Sequence, residues 1–263
     1  MRATDGCSPD DHDHTPDHHH GAADDTHHHD HAHRYNHAHD QLLVTPATRT
    51  ITVEEAVLAK NDVIAAENRA AFRSRDIAAF NFTSSPGSGK TSLLETMIPR
   101  LAGRAPVTVI EGDQETAHDA DRIRATGAPV VQISAGCHLD AAMVRQATQT
   151  LAPPASSLLL IENVGNMVCP ALFDLGERAT VVLLSVTEGE DKPLKYPHMF
   201  RAADVAVLTK IDLLPYLDFD VGACIANVRR VNPALRLFQV SSRDGNGIPA
   251  LSDWMAAQVA AQA

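Results

Sequence analysis

The stretch FNFTSSPGSGKTSLLE, residues 80–95, combines residue types that bind phosphate. In a strand–loop–helix of this kind, backbone N–H groups face a bound polyphosphate, the lysine neutralises the β and γ oxygens, and the hydroxyl after it ligates Mg²⁺. The usual pattern begins with a glycine six residues before the lysine, where this chain has Ser84. We predict a nucleotide triphosphate site formed by Gly87, Ser88, Gly89, Lys90, Thr91 and Ser92.

A second motif concerns the base of that nucleotide. VAVLTKID ends in Thr209, Lys210, Ile211 and Asp212, one residue away from the Asn-Lys-x-Asp motif of P-loop GTPases. The Asp212 carboxylate would accept hydrogen bonds from N1 and N2 of guanine, which adenine lacks, and Lys210 would cover the ring. Threonine in place of asparagine removes an amide that braces the loop. The later stretch QVSSRDGNG resembles the loop that contacts guanine O6, with Ser241 and Ser242, so the two motifs favour GTP over ATP.

Carboxylates follow two of the apolar segments. Glu162 would hold the water shell of Mg²⁺, and the N–H of Gly165 would sense the γ-phosphate, as in a nucleotide switch. After an earlier segment, Glu111 or Asp113 would reach Mg²⁺ or orient the attacking water, although either could instead simply cap its loop. The candidate catalytic residues are Lys90, Asp113, Glu162 and Gly165, and the candidate Mg²⁺ ligands are Thr91, Asp113 and Glu162.

A cysteine and a histidine are adjacent in SAGCHLD, at a predicted strand-to-helix turn. The thiolate of Cys137 and the imidazole of His138 suit nickel and zinc, but two ligands are too few to hold such an ion. A nearby helix N-terminus would lower the pKa of the Cys137 thiol. A lone pair of this kind is more often structural, so both interpretations stay open at this point.

The first 40 residues are a low-complexity mixture of histidine and aspartate. Such a segment has too little apolar surface to fold, so we expect a disordered tail that binds several nickel, zinc or copper ions weakly. An affinity tag is the alternative, but tags are usually one uninterrupted run. The tail ligands would be His12, His14, His18, His19, His20, His27, His28, His29, His31, His33, His37 and His39.

The remaining pattern predicts the elements that position these residues. From Ile77 onward, seven short apolar segments alternate with helical stretches, which is typical of an α/β fold with a doubly wound, mostly parallel sheet. Before them, a long helix is predicted with Thr52 as its N-cap and Glu55 completing a capping box. The predicted organisation is a tail over residues 1–40, a helical extension over 41–75, and a P-loop GTPase domain over 76–263.

Composition narrows the class of protein. The net charge of −11 argues against a nucleic-acid partner, and no apolar run is long enough to span a membrane. We therefore expect a cytoplasmic protein without a nucleic-acid or membrane partner. The four cysteines do not form a disulfide framework in so long a chain; Cys224 lies in a helical pattern and is expected in the core.

Over roughly residues 50–260 the chain resembles the hydrogenase nickel-incorporation GTPase family, HypB. The motifs that carry this resemblance are SSPGSGKTSLLE, EGDQET, GCHLDA, IENVGNMVCP and TEGEDKPLKYPHMF. The related urease accessory GTPases have Cys-Pro-His and a Glu-Ser-Gly-Gly switch, which are absent here. The resemblance implies GTP and GDP, Mg²⁺ and Ni²⁺ or Zn²⁺ as cofactors, and a GTP-bound homodimer. It also implies a HypA-like accessory protein and a hydrogenase large-subunit precursor as partners.

The same resemblance implies a metal site shared by two protomers, formed by Cys137 and His138 with help from Cys169. A two-fold dimer would supply two thiolates and two imidazoles, enough for tetrahedral zinc or planar nickel. Some members also begin with Cys-x-x-Cys-Gly-Cys, of which only Cys7 is present here. Lys192 and Lys195 would serve the dimer interface or the nucleotide.

These observations predict a GTP-hydrolysing nickel metallochaperone for [NiFe]-hydrogenase. The alternatives are a nickel or zinc storage protein with a vestigial GTPase, a urease-type accessory GTPase and a small-molecule kinase, which the T-K-I-D motif disfavours.

Overall fold

The computed structural model of the protein describes residues 46–113 and 118–260. Within these ranges a parallel sheet of seven strands has the order β3-β2-β4-β1-β5-β6-β7. The strands are β1 (Ala78–Ser84), β2 (Val107–Asp113), β3 (Val130–Ser134), β4 (Leu158–Gly165), β5 (Ala179–Ser185), β6 (Val205–Thr209) and β7 (Arg236–Gln239). Each neighbouring pair is parallel. The predicted seven strands and doubly wound α/β fold are confirmed.

Helices cover both faces of the sheet. They are α1 (Pro46–Arg73), α2 (Lys90–Ala102), α3 (His118–Ala125), α4 (Ala141–Leu151), α5 (Lys192–Lys195), α6 (Pro197–Ala202), α7 (Val221–Val231) and α8 (Ile248–Ala260). On one face, Leu93 and Met97 of α2 pack against Phe80 and Phe82 of β1. On the other face, α1 and α4 pack against β2 and β4. Because both faces are buried, the central strands are continuous apolar runs rather than alternating ones.

Helix α1 begins earlier than the capping pattern predicts. Its first residue is Pro46, so Thr52 lies inside the helix and the predicted N-cap is wrong. Proline is well suited to a first helical turn, since its fixed φ is helical and its missing N–H has no partner there. The helix packs closely on the segment that follows β4, because a side chain at Gly176 would place its Cβ 2.5 Å from the carbonyl oxygen of Ala65.

The parallel arrangement places the predicted functional residues at one edge of the sheet. The carboxyl ends of β1, β2, β4 and β6 lie at that edge, where ligands of doubly wound sheets bind. Four segments leave from it: the phosphate loop (residues 85–89), the Cys–His loop (135–140), the switch segment (166–178) and the base loop (210–216). Among the residues described, no helix is both long enough and apolar enough to cross a membrane.

Candidate functional site

The phosphate loop has the backbone that anion binding requires. Gly87 and Gly89 have φ of 76° and 95°, a left-handed conformation that costs glycine little. Gly89 is the N-cap residue of α2, and no side chain caps this helix end. The free N–H groups and the positive end of the helix dipole therefore face the loop and favour a bound phosphate.

Lys90 is the buried cation of this loop, with 9% of its surface exposed. Its Nζ lies 3.1 Å from Oγ of Ser84, the residue that replaces the usual glycine. The Ser84 hydroxyl donates to the carbonyl of Ser85 at 2.7 Å, which leaves its oxygen free to accept from the lysine. Burial lowers the pKa of Lys90, and the nearby carboxylates of Glu162 and Asp119 oppose that shift. The substitution at Ser84 thus supplies a hydrogen-bond acceptor for the lysine.

A cavity of about 440 Å³ opens beside the phosphate loop. It joins Lys90 and Thr91 to Glu162 and Gly165, as the sequence predicts. Two further lining residues, Asp119 and Arg122 of α3, were not predicted. Arg122 is held by Asp119, by both carboxylate oxygens of Glu95 and by the hydroxyl of Ser92. An arginine in an amphipathic helix carries no local motif, so only the fold reveals its position.

Thr91 and Glu162 form the part of this cavity that fits Mg²⁺. The Thr91 hydroxyl donates to Oε1 of Glu162 at 2.7 Å. The Glu162 side chain is 3% exposed, and its Oε2 accepts no hydrogen bond from any described residue. Burial raises the pKa of Glu162 to about 7, although Lys90 and Thr91 lower it. A buried carboxylate oxygen beside a threonine hydroxyl is a fitting donor set for a hard cation with oxygen ligands.

The second pair of predicted carboxylates, Glu111 and Asp113, lies at the end of β2. Glu111 is buried and lines the same cavity, near the end of β2. Asp113 is the last residue of that strand, and its side chain lies outside the described residues, as do residues 114–117. The choice between Glu111 and Asp113 as the residue that positions water therefore stays a hypothesis.

A smaller cavity of about 350 Å³ adjoins the first and shares Gly89, Ser92 and Lys210 with it. Asp212 and Ser242 line this second cavity, together with Arg243. The larger cavity contains the residues predicted to bind the phosphates, and the smaller one contains those predicted to bind the base.

Two residues of the T-K-I-D motif bind the backbone of the phosphate loop, which lines both cavities. Lys210 has φ of 60° and its Nζ donates to the carbonyl of Gly87 at 2.7 Å. The Thr209 hydroxyl donates to the carbonyl of Ser88 at 2.7 Å. Threonine lacks the amide of asparagine, but its hydroxyl braces the phosphate loop through this hydrogen bond. Ser241 is fully buried and donates to Oδ1 of Asp212 at 2.7 Å, so its contact is with the aspartate that would read the base.

An unpredicted residue, Glu188, fixes the phosphate loop from the other side. Its Oε2 accepts from the Ser88 hydroxyl and from the Ser185 N–H, both at 2.8 Å. Its Oε1 accepts from Nζ of Lys192 at 2.9 Å. Burial opposes ionisation, but these hydrogen bonds together lower the pKa of Glu188. Lys192 therefore acts on the loop through Glu188, whereas Lys195 pairs with Asp191 at the surface.

The Cys–His loop and the switch segment come together at a group of metal ligands. The ligand atoms of Cys137, His138 and Cys169 all lie within 4.8 Å of one another. Sγ of Cys137 is 3.2 Å from Nδ1 of His138. The His138 ring stacks on Phe173 with the ring centroids 3.8 Å apart, and sequence reasoning missed that aromatic partner. One chain thus brings together three ligands, one more than the Cys–His pair alone.

The pKa expected for Cys137 is wrong. A hydrogen bond between the Cys137 and Cys169 side chains is the main cause that raises the pKa of the Cys137 thiol, because it favours the protonated form. Helix α4 does not offset this effect, since it begins at Ala141 and its N–H of Met143 is already capped by Asp140 at 2.8 Å. Burial lowers the pKa of His138, which favours the neutral imidazole that binds metal.

Helix α1 braces both segments that carry these ligands. The side chain of Asn61 accepts from the N–H of Ala141 at 2.9 Å and donates to the carbonyl of Asp174 at 2.8 Å. The amide of Asn68 donates to the carbonyls of Ala141 and Leu175 at 2.8 and 3.0 Å. Each asparagine therefore joins the start of α4, directly after the Cys–His loop, to the switch segment.

Asn68→Ala is expected to lower the free energy of unfolding by about 2 kcal/mol, because two buried carbonyl groups lose their hydrogen-bond donor. Denaturant unfolding measures this change. Asp62→Ala is a control on the same helix, since Asp62 is exposed and its loss is expected to change stability by less than about 0.5 kcal/mol. Equal stabilities of the two variants would contradict the bracing role.

Two cysteines remain besides Cys137 and Cys169, namely Cys224 and Cys7. Cys224 is fully buried in the cluster between α6, α7 and the sheet, and burial raises its pKa to about 11. Its expected place in the core is confirmed. Cys7 and the predicted histidine tail lie outside the described residues.

Comparisons with known proteins show which family this chain is similar to. Residues 78–239 match the model of the CobW/HypB/UreG nucleotide-binding domain family. The hydrogenase maturation factor HypB of Rhizobium leguminosarum bv. viciae is 58% identical over 217 residues, which cover 82% of this chain and 73% of that protein. The HypB structure from Archaeoglobus fulgidus superposes with a TM-score of 0.71 at 36% identity, covering 76% of this chain and 99% of that one.

A second similar structure was solved in complex with nickel. HypB from Helicobacter pylori in complex with nickel superposes with a TM-score of 0.70 at 37% identity, covering 76% of this chain and 95% of that chain.

Proposed function

Because this chain belongs to the HypB family of hydrogenase maturation factors, whose domain is a nucleotide-binding P-loop GTPase fold, we propose that it hydrolyses GTP to control the binding and release of nickel. The observation that carries this proposal is the position of Cys137, His138 and Cys169. Their ligand atoms lie within 4.8 Å of one another, on two segments that leave the same edge of the sheet as the nucleotide cavity.

The hydrolysis step is assigned to the residues of the larger cavity. Lys90 neutralises the charge that develops on the β and γ oxygens, and the loop N–H groups hold the phosphates. Thr91 and Glu162 would hold Mg²⁺, which when bound neutralises further phosphate charge. The N–H of Gly165 would report the presence of the γ-phosphate. Glu111 or Asp113 would orient the attacking water.

Base selection is assigned to the smaller cavity. Asp212 accepts two hydrogen bonds from guanine, while Ser241 fixes the direction of its carboxylate. This arrangement supports GTP over ATP and disfavours a kinase that uses ATP. The products of the reaction are GDP and inorganic phosphate, and hydrolysis resets the metal site.

Nickel is the cargo of this cycle. The three ligands of one chain leave a tetrahedral or planar site incomplete, so we propose that two GTP-bound protomers complete it as a homodimer. Zinc fits the same ligands. The recipients would be a HypA-like accessory protein and the large-subunit precursor of a [NiFe]-hydrogenase, in the cytoplasm. The histidine tail would act as a weaker nickel reservoir.

The test is nickel binding by competition titration to protein lacking residues 1–40, with GDP and with a non-hydrolysable GTP analogue, while light scattering reports the mass. This deletion leaves every described residue in place, since α1 begins at Pro46. We expect about one nickel ion per dimer, dependent on the nucleotide. Cys137→Ala is expected to abolish this binding, because removing one thiolate leaves too few ligands.

Cys224→Ala is the matched cysteine control, since that thiol lies in the core away from the ligand group. The rival function is a nickel or zinc store with a vestigial GTPase. Nickel binding that disappears with the tail and is indifferent to the nucleotide would favour that rival. GTP hydrolysis that is lost in Lys90→Ala, but kept after tail deletion, would argue against a storage protein alone.

A further inference from the structure

Two asparagine side chains connect the end of β4, at the nucleotide cavity, to the Cys–His loop. We propose that Asn163 and Asn166 are positioning residues that transmit the state of the bound nucleotide to the metal ligands. This inference rests on the proposed function and adds to it a physical connection between the two sites.

Asn163 is the buried half of this connection, with 1% of its surface exposed. It lines the larger cavity, directly after Glu162 in β4. Its Oδ1 accepts from the N–H of Leu139, the residue after His138, at 3.1 Å. Its amide donates to Oδ1 of Asn81 on the neighbouring strand β1 at 3.1 Å. Asn163 therefore ties one end of the Cys–His loop to the centre of the sheet.

Asn166 is the half that can move, because it follows the end of β4 and is only partly buried. Its amide donates to the carbonyl of Cys137 at 3.1 Å. Its Oδ1 accepts from the N–H of Val168 at 2.9 Å. One side chain therefore holds the backbone at Cys137 and the residue before Cys169, so it controls the spacing of two metal ligands.

Gly165 lies between Asn163 and Asn166 in the sequence, and it packs against the phosphate loop. A side chain here would place its Cβ 3.1 Å from Cα of Pro86, so the strand end and the loop are in close contact. Any shift of this strand end when a γ-phosphate binds is passed to Asn166 and from there to Cys137. The hydrogen bonds form a contiguous path of the kind that couples two sites.

The test measures this coupling in the full-length chain carrying Cys7→Ser, which removes the tail thiol. Absorption from thiolate-to-nickel charge transfer then reports nickel on the cysteine ligands and not on the histidine tail. The quantity is the ratio of the nickel dissociation constants with GDP and with a non-hydrolysable GTP analogue, expected to differ from one by about 5- to 150-fold.

Asn166→Asp removes only one of the two hydrogen bonds of this side chain. It keeps the acceptor for the Val168 N–H, which forms the local turn, and it loses the donor to the Cys137 carbonyl, which forms the proposed connection. We expect the ratio to fall to within about twofold of one in this variant and in Asn166→Ala, with GDP affinity unchanged. Asn232→Ala is the matched control, because Asn232 also donates to two carbonyls, of Phe200 and Ala203, far from the site. It is expected to keep the ratio of the parent.

A ratio that persists in both Asn166 variants would overturn the proposal. An equal weakening of nickel binding in both nucleotide states would also overturn it, since that is the effect of a purely structural residue. A parent protein whose nickel affinity is the same with both nucleotides would instead reject the proposed nucleotide control itself, and with it this connection. The first two results leave the proposed function intact.

Discussion

Asp212→Asn is expected to change the preferred nucleotide from GTP to xanthosine triphosphate and to lower kcat/KM for GTP by at least about a thousandfold. The Asp212 carboxylate offers two acceptors to the N1 and N2 donors of guanine. An asparagine offers one acceptor and one donor, so the N2 group of guanine meets another donor. Xanthine has a carbonyl at C2, which pairs with the new amide.

The size of this effect depends on how firmly the side chain is oriented. Ser241 is fully buried and donates to Oδ1 of Asp212 at 2.7 Å, so the carboxylate has a fixed direction at the edge of the smaller cavity. A fixed polar group that lacks its partner costs much more than a mobile one, because it cannot turn toward water.

The measurement is a pair of kcat/KM values, for GTP and for xanthosine triphosphate, supported by competition binding of the two diphosphates. Asp218→Asn makes the same change of charge at an exposed position outside the cavity and is the control. An Asp212 variant that keeps the preference for GTP would show that another group reads the base.

The sequence predicts most of the nucleotide site because its residues lie in short motifs next to strands. Lys90, Thr91 and Asp212 each follow or precede a strand by a fixed number of residues, so the fold alone brings them together. The parallel order of the sheet then determines that their loops meet at one edge.

The contacts that the sequence does not predict come from elements far apart in the chain. Glu188 reaches the Ser88 hydroxyl across 100 residues, and Asn61 reaches Ala141 across 80. Their side chains belong to no local pattern, and only the packing of the helix or turn that carries them makes the contact possible. The pKa of Cys137 is missed for the same reason, because Cys169 approaches from another segment.

Glu162→Gln is expected to raise the free energy of unfolding of the nucleotide-free protein by about 3 kcal/mol at pH 8 and to leave it unchanged near pH 4. Burial raises the pKa of Glu162 from an ordinary 4.5 to about 7. Below pH 4.5 the carboxyl group is protonated in the folded and unfolded states alike. Between pH 4.5 and 7 only the unfolded state loses its proton, so stability falls as pH rises, and above pH 7 the loss is constant.

Glutamine keeps an acceptor for the Thr91 hydroxyl but carries no charge, so it removes this loss and also removes a ligand for Mg²⁺. In the parent protein, a proton and Mg²⁺ compete for the same carboxylate, and Mg²⁺ affinity with GDP is expected to rise about tenfold per pH unit up to pH 7. The variant is expected to lose most of that affinity and all of its pH dependence.

Denaturant unfolding at pH 4 and pH 8, together with Mg²⁺ titration at several pH values, measures both effects in one pair of proteins. Glu54→Gln removes the same charge from an exposed position of α1 and is expected to alter neither quantity. A Glu162 variant that is less stable than the parent at pH 8 without Mg²⁺ would contradict the argument. Other interactions in the folded protein would then offset the cost of burying the ionised carboxylate. The expected gain in stability and loss of Mg²⁺ binding would together mean that Glu162 is retained at a cost to the fold because the bound cation requires it.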